Sequence, residues 1–313
     1  MNWKDKKVLV TGSAGVIGKE LLKRLTSKGA QILSIDIKPL SEFNSVKHIE
    51  ADLSASIPKE CIVFEPEIIF HLAATFERTV ETAGYWKINF DNNVFASHKL
   101  LESMDANKAL KLFVFASSYL TYDPKLYLDT SKLCYLKEID PIAPRNLVGL
   151  AKYFTERELQ FIEEMDKSFQ VVSARIFRVY GYGSREIISR WIRTALKGQP
   201  IDVWGRQNHF DYIWAEDVAE SLIRLAETGV KNKSIINLGS GVAHSIDEVV
   251  NILKKEIHDL KVKEMPTNSP VELSCADMNL FKELTGWLPQ TSLEEGIHKI
   301  IEYERRIQEN EKL

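Results

Sequence analysis

Cysteine is scarce. Cys61, Cys134 and Cys275 are odd in number and far apart, which excludes a disulfide framework and a cysteine metal knuckle, so no metal is expected. They read as reduced, packed thiols of a cytoplasmic protein. No apolar run reaches the length of a membrane span. The start, MNWKDKK, leads straight into an apolar strand, so no signal peptide is expected. An excess of one charge is also missing. The 41 Lys and Arg balance 44 Asp and Glu to a net −3, with the basic residues scattered. Neither nucleic acid nor an anionic membrane is therefore an expected partner. Internal repeats and low-complexity segments are absent. What remains is ordinary globular composition, 44% hydrophobic and 27% charged over 313 residues. That length supports one large domain or two closely joined lobes.

Against this plain background one stretch stands out, VLVTGSAGVIG from Val8 to Gly18. Val8-Leu9-Val10 reads as a buried strand, and Lys19–Lys28 as a helix burying Leu21, Leu22 and Leu25. Between them Gly12 permits the tight turn, Gly15 admits a pyrophosphate to the backbone, and Gly18 lets helix and strand pack closely. The backbone of Ala14, Val16 and Ile17 completes the loop and first helical turn, whose free N–H groups face the phosphates. The next apolar run ends in Asp36, 18 residues after Gly18. An acid there accepts hydrogen bonds from a ribose with free hydroxyls and repels a 2′-phosphate, which selects NAD over NADP.

Further along, Val46–Ala51 reads as a short strand ending in Asp52-Leu53. Asp52 either meets the adenine amino group, with the Leu53 N–H on a ring nitrogen, or caps a helix before Ser54. Glu67–Ala74 is a fourth strand whose small end, Leu72-Ala73-Ala74, lets a cofactor lie against the backbone. His71 reads as a packed residue rather than a catalyst. A helix over Phe90–Met104 carries Asn93, and KLFVFASS, ending in Ser117-Ser118, is the next buried strand. Strand and helix in alternation predict an α/β fold, a Rossmann-like doubly wound parallel sheet. Tyr122–Asn146 reads as a long functional loop, Leu147–Met165 as a long helix and Gln170–Ile176 as a strand. Beyond the Gly-Tyr-Gly turn at 181–183 a smaller C-terminal α/β substrate lobe is expected. The division is 1–180 for cofactor and 181–313 mainly for substrate, with 211–240 returning to the first lobe. Ser245 and Glu248 have capping-box spacing, and the charged tail from Arg305 reads as a solvated helix end.

Taken together, these landmarks resemble the extended short-chain dehydrogenase/reductases, the NAD-dependent sugar epimerase/dehydratase group. The likeness runs through the glycine motif, HLAA at 71–74, Asn92-Asn93-Val94, FVFASS with Tyr122, Lys152 with Glu156, RIFRVYGYG, DYIWAEDVA, NLGSG and GWLPQTSLEEG. FDNNVFAS is similar to the corresponding helix of UDP-galactose 4-epimerases. The resemblance implies that Ser118 binds the substrate hydroxyl and that Lys152 holds the nicotinamide ribose. It also implies a nucleotide-sugar substrate, and a homodimer formed by the helices at 90–104 and 147–165.

Three departures stand against that pattern. Val148 occupies the position of the family's Tyr base, one helical turn before Lys152, and valine has no proton to exchange. Tyr119, next to Ser118, is the first candidate to replace it; Tyr153 falls off that helix face. Phe210 stands where relatives carry an arginine for the pyrophosphate, which leaves Arg178, Arg185 and Arg206 to meet that group. The acidic residues that dehydratases and decarboxylases place after the serine are missing at Tyr119-Leu120. Two readings follow. One is an NAD-dependent nucleotide-sugar enzyme of epimerase or dehydratase type, acting at C4 with an atypical site. The alternative is a non-catalytic NAD-binding sensor or partner protein in a sugar pathway.

Overall fold

The computed structural model describes residues 1–76, 81–165, 168–229 and 234–310. β1 (Lys7–Thr11) is buried from Val8 onward. It turns at Gly12, whose φ of 70° suits a residue without Cβ, into α1 (Val16–Ser27). β2 (Gln31–Asp36), β3 (Lys47–Glu50), α2 (Lys59–Phe64) and β4 (Ile68–His71) follow. β2 and β4 flank β1, both in parallel.

The next helix starts earlier than its sequence pattern suggests. α3 (Ala83–Asn89), capped by Thr82, passes through a π-helical turn at Phe90–Phe95 into α4 (Ala96–Ser103). Trp86, Ile88 and Phe90 are exposed, so the apolar residues before Asn93 form no inward stripe of helical period. β5 (Leu112–Ser118) is buried almost throughout. The segment after it is less loop-like than expected, because β6 (Cys134–Leu136) pairs in parallel with Ser274–Ala276 far along the chain. α5 (Leu147–Met165) and β7 (Gln170–Ile176) fall where the sequence puts them.

The remainder runs β8 (Arg178–Tyr180), α6 (Ile187–Leu196), β9 (Ile201–Trp204), β10 (His209–Trp214), α7 (Ala215–Thr228) and β11 (Ile235–Leu238). It ends with β12 (Ala243–Ser245), α8 (Ile246–Glu256), β13 (Val262–Met265), β14 (Ser274–Ala276), α9 (Asn279–Thr285) and α10 (Leu293–Asn310). The reciprocal Ser245–Glu248 bonds cap α8, at 2.8 and 3.0 Å. The charged tail continues α10 to Asn310, and residues 311–313 lie outside the described residues.

Seven parallel strands form the main sheet in the order β11-β7-β5-β4-β1-β2-β3. Alternation along β1 sends Val8 and Val10 to one face, with Leu21 and Leu222, and Leu9 to the other, with Phe113 and Leu159. A strand apolar on both faces belongs inside such a sheet. α7 returns against α1, where Arg24 reaches Glu216 and Glu220, and β11 joins the sheet edge. A third core gathers Tyr180, Trp191, Ile192, Trp214, Val249 and Ile297. Among the described residues no helix is long and apolar enough to cross a membrane.

Candidate active site

Strand order diverges in both directions from β1, and a cleft of about 470 Å³ opens at the carboxyl ends there. Gly12, Ala14, Gly15, Asp36, Asp52, Leu53, Leu72, Ala73 and Ala74 line it. Backbone lies directly on backbone. A Cβ on Gly12 would sit 2.6 Å from the Ala73 nitrogen, and one on Gly18 would sit 2.4 Å from the Gly12 oxygen. Val16 and Ile17 form the first turn of α1, whose N–H groups have no partner within the helix. Asp36 is held by the Ala14 N–H at 2.9 Å and the Lys38 N–H at 3.0 Å. Asp52 accepts the Ser54 N–H at 2.8 Å. It closes a turn and caps no helix, since α2 begins only at Lys59. Bare backbone at the turn, an acid at the end of β2 and free helix N–H groups suit a dinucleotide.

Behind the cleft, His71 is buried between Thr11 Oγ1 at 2.7 Å and Ser97 Oγ at 2.8 Å. Burial, helped by the Lys152 ammonium, depresses its pKa to about 3, so the ring stays neutral. Asn93 is also buried. Its side chain pairs with both backbone groups of Thr75 and donates to Asn89 Oδ1. Asn89 in turn donates to the Leu147 carbonyl at 2.9 Å, so the π-helical turn is fastened to the first turn of α5.

α5 supplies Val148, 4% exposed, and Lys152, 7% exposed. Gly149 sits so close to Leu120 that a Cβ would approach its carbonyl oxygen to 2.4 Å. α5 is thereby pressed on the turn that follows Ser118. The Lys152 ammonium lies 4.6 Å from the Phe115 ring centre. Its pKa falls to about 8 because burial outweighs the pull of Glu156. Glu156 itself is taken by Arg175, at 3.0 and 2.8 Å, and by the Ser117 hydroxyl. The Ser117 side chain is thus committed to that pair, and only its backbone remains for a ligand. Ser118 is half-buried, and its Oγ accepts the Leu120 N–H at 3.3 Å.

Tyr119 is a correction to the sequence reading. Its ring stacks on Phe177 at 4.9 Å inside the core, and burial pushes its phenol up, away from the range of a base at neutral pH. Two of the three arginines also change place. Arg206 is bound by Glu264 and Asp247, and it lines neither cavity described here. Arg185 is exposed, donates to the Phe76 carbonyl at 3.0 Å and lines the cofactor cleft. Arg178 stacks 3.7 Å over Phe210, a residue that lines a second cavity.

That second site is a cavity of about 480 Å³ lined by Arg145, Asn146, Asn208, Phe210 and Glu272 among others. Arg145 and Glu272 were not singled out from the sequence. For Glu272, an acid standing in the otherwise apolar and small run VELSCA was the available signal. Glu272 is fixed from several directions. Its N–H donates to Asn208 Oδ1, its carbonyl accepts the His209 N–H, and its carboxylate accepts from Ser274 and Arg145.

The model of the NAD dependent epimerase/dehydratase family matches residues 8–239. A putative UDP-glucose 4-epimerase of Methanocaldococcus jannaschii is 27% identical over 95% of this chain and 97% of its own length. The dTDP-4-dehydro-6-deoxyglucose reductase of Escherichia coli is 28% identical over 96% of this chain and 98% of its own. Among solved structures, MoeE5 in complex with UDP-glucose and NAD superposes with a TM-score of 0.84 at 28% identity, covering 96% of this chain and 99% of that one. The glycine turn, the acid after β2 and the Lys152 helix lie in the matched span, and the chain belongs to the NAD dependent epimerase/dehydratase family.

Proposed function

We propose that the chain is an NAD-dependent enzyme that modifies the sugar of a nucleotide sugar at a hydroxyl carbon, C4, with residues 1–180 holding the cofactor and 181–313 mainly the substrate. The observation that carries this reading is Lys152. An ammonium buried to 7% exposure, with no ion pair among the described residues, costs folding free energy. Such a group is retained where a ligand uses it. Gly12, Gly15, Asp36, Asp52 and the 72–74 backbone would hold the dinucleotide, and Lys152 its nicotinamide ribose. NAD, when bound, supplies the hydride acceptor. Ser118 would bind the reacting hydroxyl. Val148 carries no proton, burial and the Lys152 charge make the His71 ring too weak a base, and the Tyr119 phenol is shifted up. The proton therefore leaves through the substrate's own groups. Loss of a dedicated base slows such a step by roughly 10²–10⁴-fold, so slow turnover is expected.

The same absence of a placed base supports the second reading, a non-catalytic NAD-binding sensor or partner protein. Proton NMR of the protein with NAD and a panel of UDP-, GDP-, CDP- and dTDP-sugars separates the two. New sugar signals that disappear in Ser118→Ala establish turnover. A silent panel, with NAD binding confirmed separately, selects the non-catalytic reading.

We also propose a homodimer through the α3–α4 and α5 faces. Trp86, Phe90 and Phe95 on one, and Leu150, Phe154 and Phe161 on the other, are each at least 42% exposed. Contiguous exposed apolar surface of this kind marks an interface.

A further inference from the structure

Both peptide groups of Lys38, in the turn after β2, are taken. Its N–H donates to Asp36 Oδ1 at 3.0 Å, and its carbonyl lies 3.0 Å from His48 Nε2. A carbonyl only accepts, so Nε2 carries the proton. In the neutral ring Nδ1, 2.9 Å from Ser34 Oγ, then accepts that hydroxyl. Ser34 is fully buried on β2, and the parallel register sets His48 of β3 directly beside it. The imidazole is thus an arm from sheet to turn, tied at its base to Ser34 and holding the Lys38 carbonyl at its tip.

The backbone of Asp36 needs no such arm, since its carbonyl accepts the Ala51 N–H at 2.9 Å. Its carboxylate is held differently. Oδ2 takes the Ala14 N–H of the glycine turn at 2.9 Å, but Oδ1 takes the Lys38 N–H. From Ile37 to Val46 the chain runs as turns and bends between β2 and β3. Ile37 is 65% exposed, and Ile37 and Lys38 line the cofactor cleft beside Asp36. One wall of the acid is therefore rigid, and the other is a turn steadied by His48. Each carboxylate oxygen accepts from two directions, so an N–H on each leaves room for a ribose hydroxyl.

We propose that His48 is a positioning residue for the dinucleotide. Through the Lys38 carbonyl it fixes the turn that aims the Asp36 carboxylate at the adenosine ribose. This deepens the proposed function and rests on its assignment of Asp36 to the cofactor.

Calorimetric titration of the full chain, freed of bound dinucleotide, with ADP and with 2′-deoxy-ADP tests it. Wild type is expected to bind ADP roughly tenfold more tightly, as one charge-assisted hydrogen bond allows. His48→Gln keeps an N–H where Nε2 stands and is expected to retain that preference. His48→Asn reaches Ser34 but not Lys38, and is expected to cut the preference to about twofold or less. A side chain that merely supports β3 would weaken both nucleotides alike, and the ratio would not move. Ser34→Ala, which unties the ring at its base, serves where His48→Asn does not fold, with the same direction expected. An unchanged ratio in these variants, or a ratio lost equally in His48→Gln, overturns the positioning role and leaves the Asp36 site standing. Equal affinity of wild type for the two nucleotides, or binding of neither, overturns the ribose contact on which the proposal rests.

Discussion

Lys152 sets the residue-scale chemistry. Burial lowers its pKa from 10.5 to about 8, so the folded protein releases this proton before the unfolded chain does. Between pH 8 and 10.5 the unfolded state holds more protons, and stability gained from this group rises with pH. Below pH 8 the full cost of the buried charge is present. Lys152→Met keeps the length and removes the charge. It is expected to stabilise the protein at pH 7 by roughly 1–3 kcal/mol, to lose that advantage toward pH 10, and to bind NAD more weakly. Denaturant melts at both pH values, with an NAD titration, check this; a variant less stable at pH 7 contradicts it. The places of single residues in the fold were legible where spacing carries them, as for Gly12 and Gly18 in the turn into α1, Asp36 at the end of β2 and Lys152 on α5. Arg145 and Glu272 were not, since they meet across 127 positions, and no local pattern joins them. Tyr119 misled because its position beside Ser118 says nothing about which way its ring turns.

At the scale of elements, α5 is fastened to the sheet by a buried ion pair. Arg175 on β7 is bidentate to Glu156, and the two side chains are 4% and 1% exposed. Removing one partner strands the other charge in the core. Arg175→Met is therefore expected to cost about 3–5 kcal/mol, and Glu156→Leu added to it should recover a large part. A double-mutant cycle of thermal melts measures the coupling; additive losses would mean that the pair does not hold α5. The sequence showed Glu156 one turn after Lys152 and gave no hint of its partner. It also placed α5 well, because Asn146 accepts the Gly149 N–H at 2.8 Å as a helix cap and apolar spacing continues behind it. The helix before it was harder to read. A π-helical turn at 90–95 shifts the inward face, so a 3.6-residue template loses register there. The 122–146 segment looked unstructured for a related reason. β6 is three residues long and its partner strand lies at 274–276, and pairing over that distance leaves no local signature.

For the whole molecule, the doubly wound parallel sheet was legible as a fold class because buried parallel strands are near-continuous apolar runs alternating with helices, whereas the order of its strands carries no local signal. Assembly is a different matter, since a surface is recognised only once the fold exposes it. Leu150, Phe154 and Phe161 lie on α5 at spacings of four and seven, one helical face, and are 42%, 52% and 52% exposed. Trp86, Phe90 and Phe95 present a neighbouring apolar row at 50%, 44% and 42%, on the element that Asn89 ties to Leu147. Two such helical faces, held together in one subunit, can meet the same faces of a second copy about a twofold axis. Interface cores of this kind tolerate no unpaired charge. Phe154→Glu is therefore expected to turn a dimer into a monomer at micromolar concentration without lowering the protomer's own melting by more than about 0.5 kcal/mol, because the side chain leaves no core contact behind. Sedimentation velocity of both proteins decides it. A wild-type monomer overturns the proposed dimer, and a Phe154→Glu protein that still pairs places the contact elsewhere.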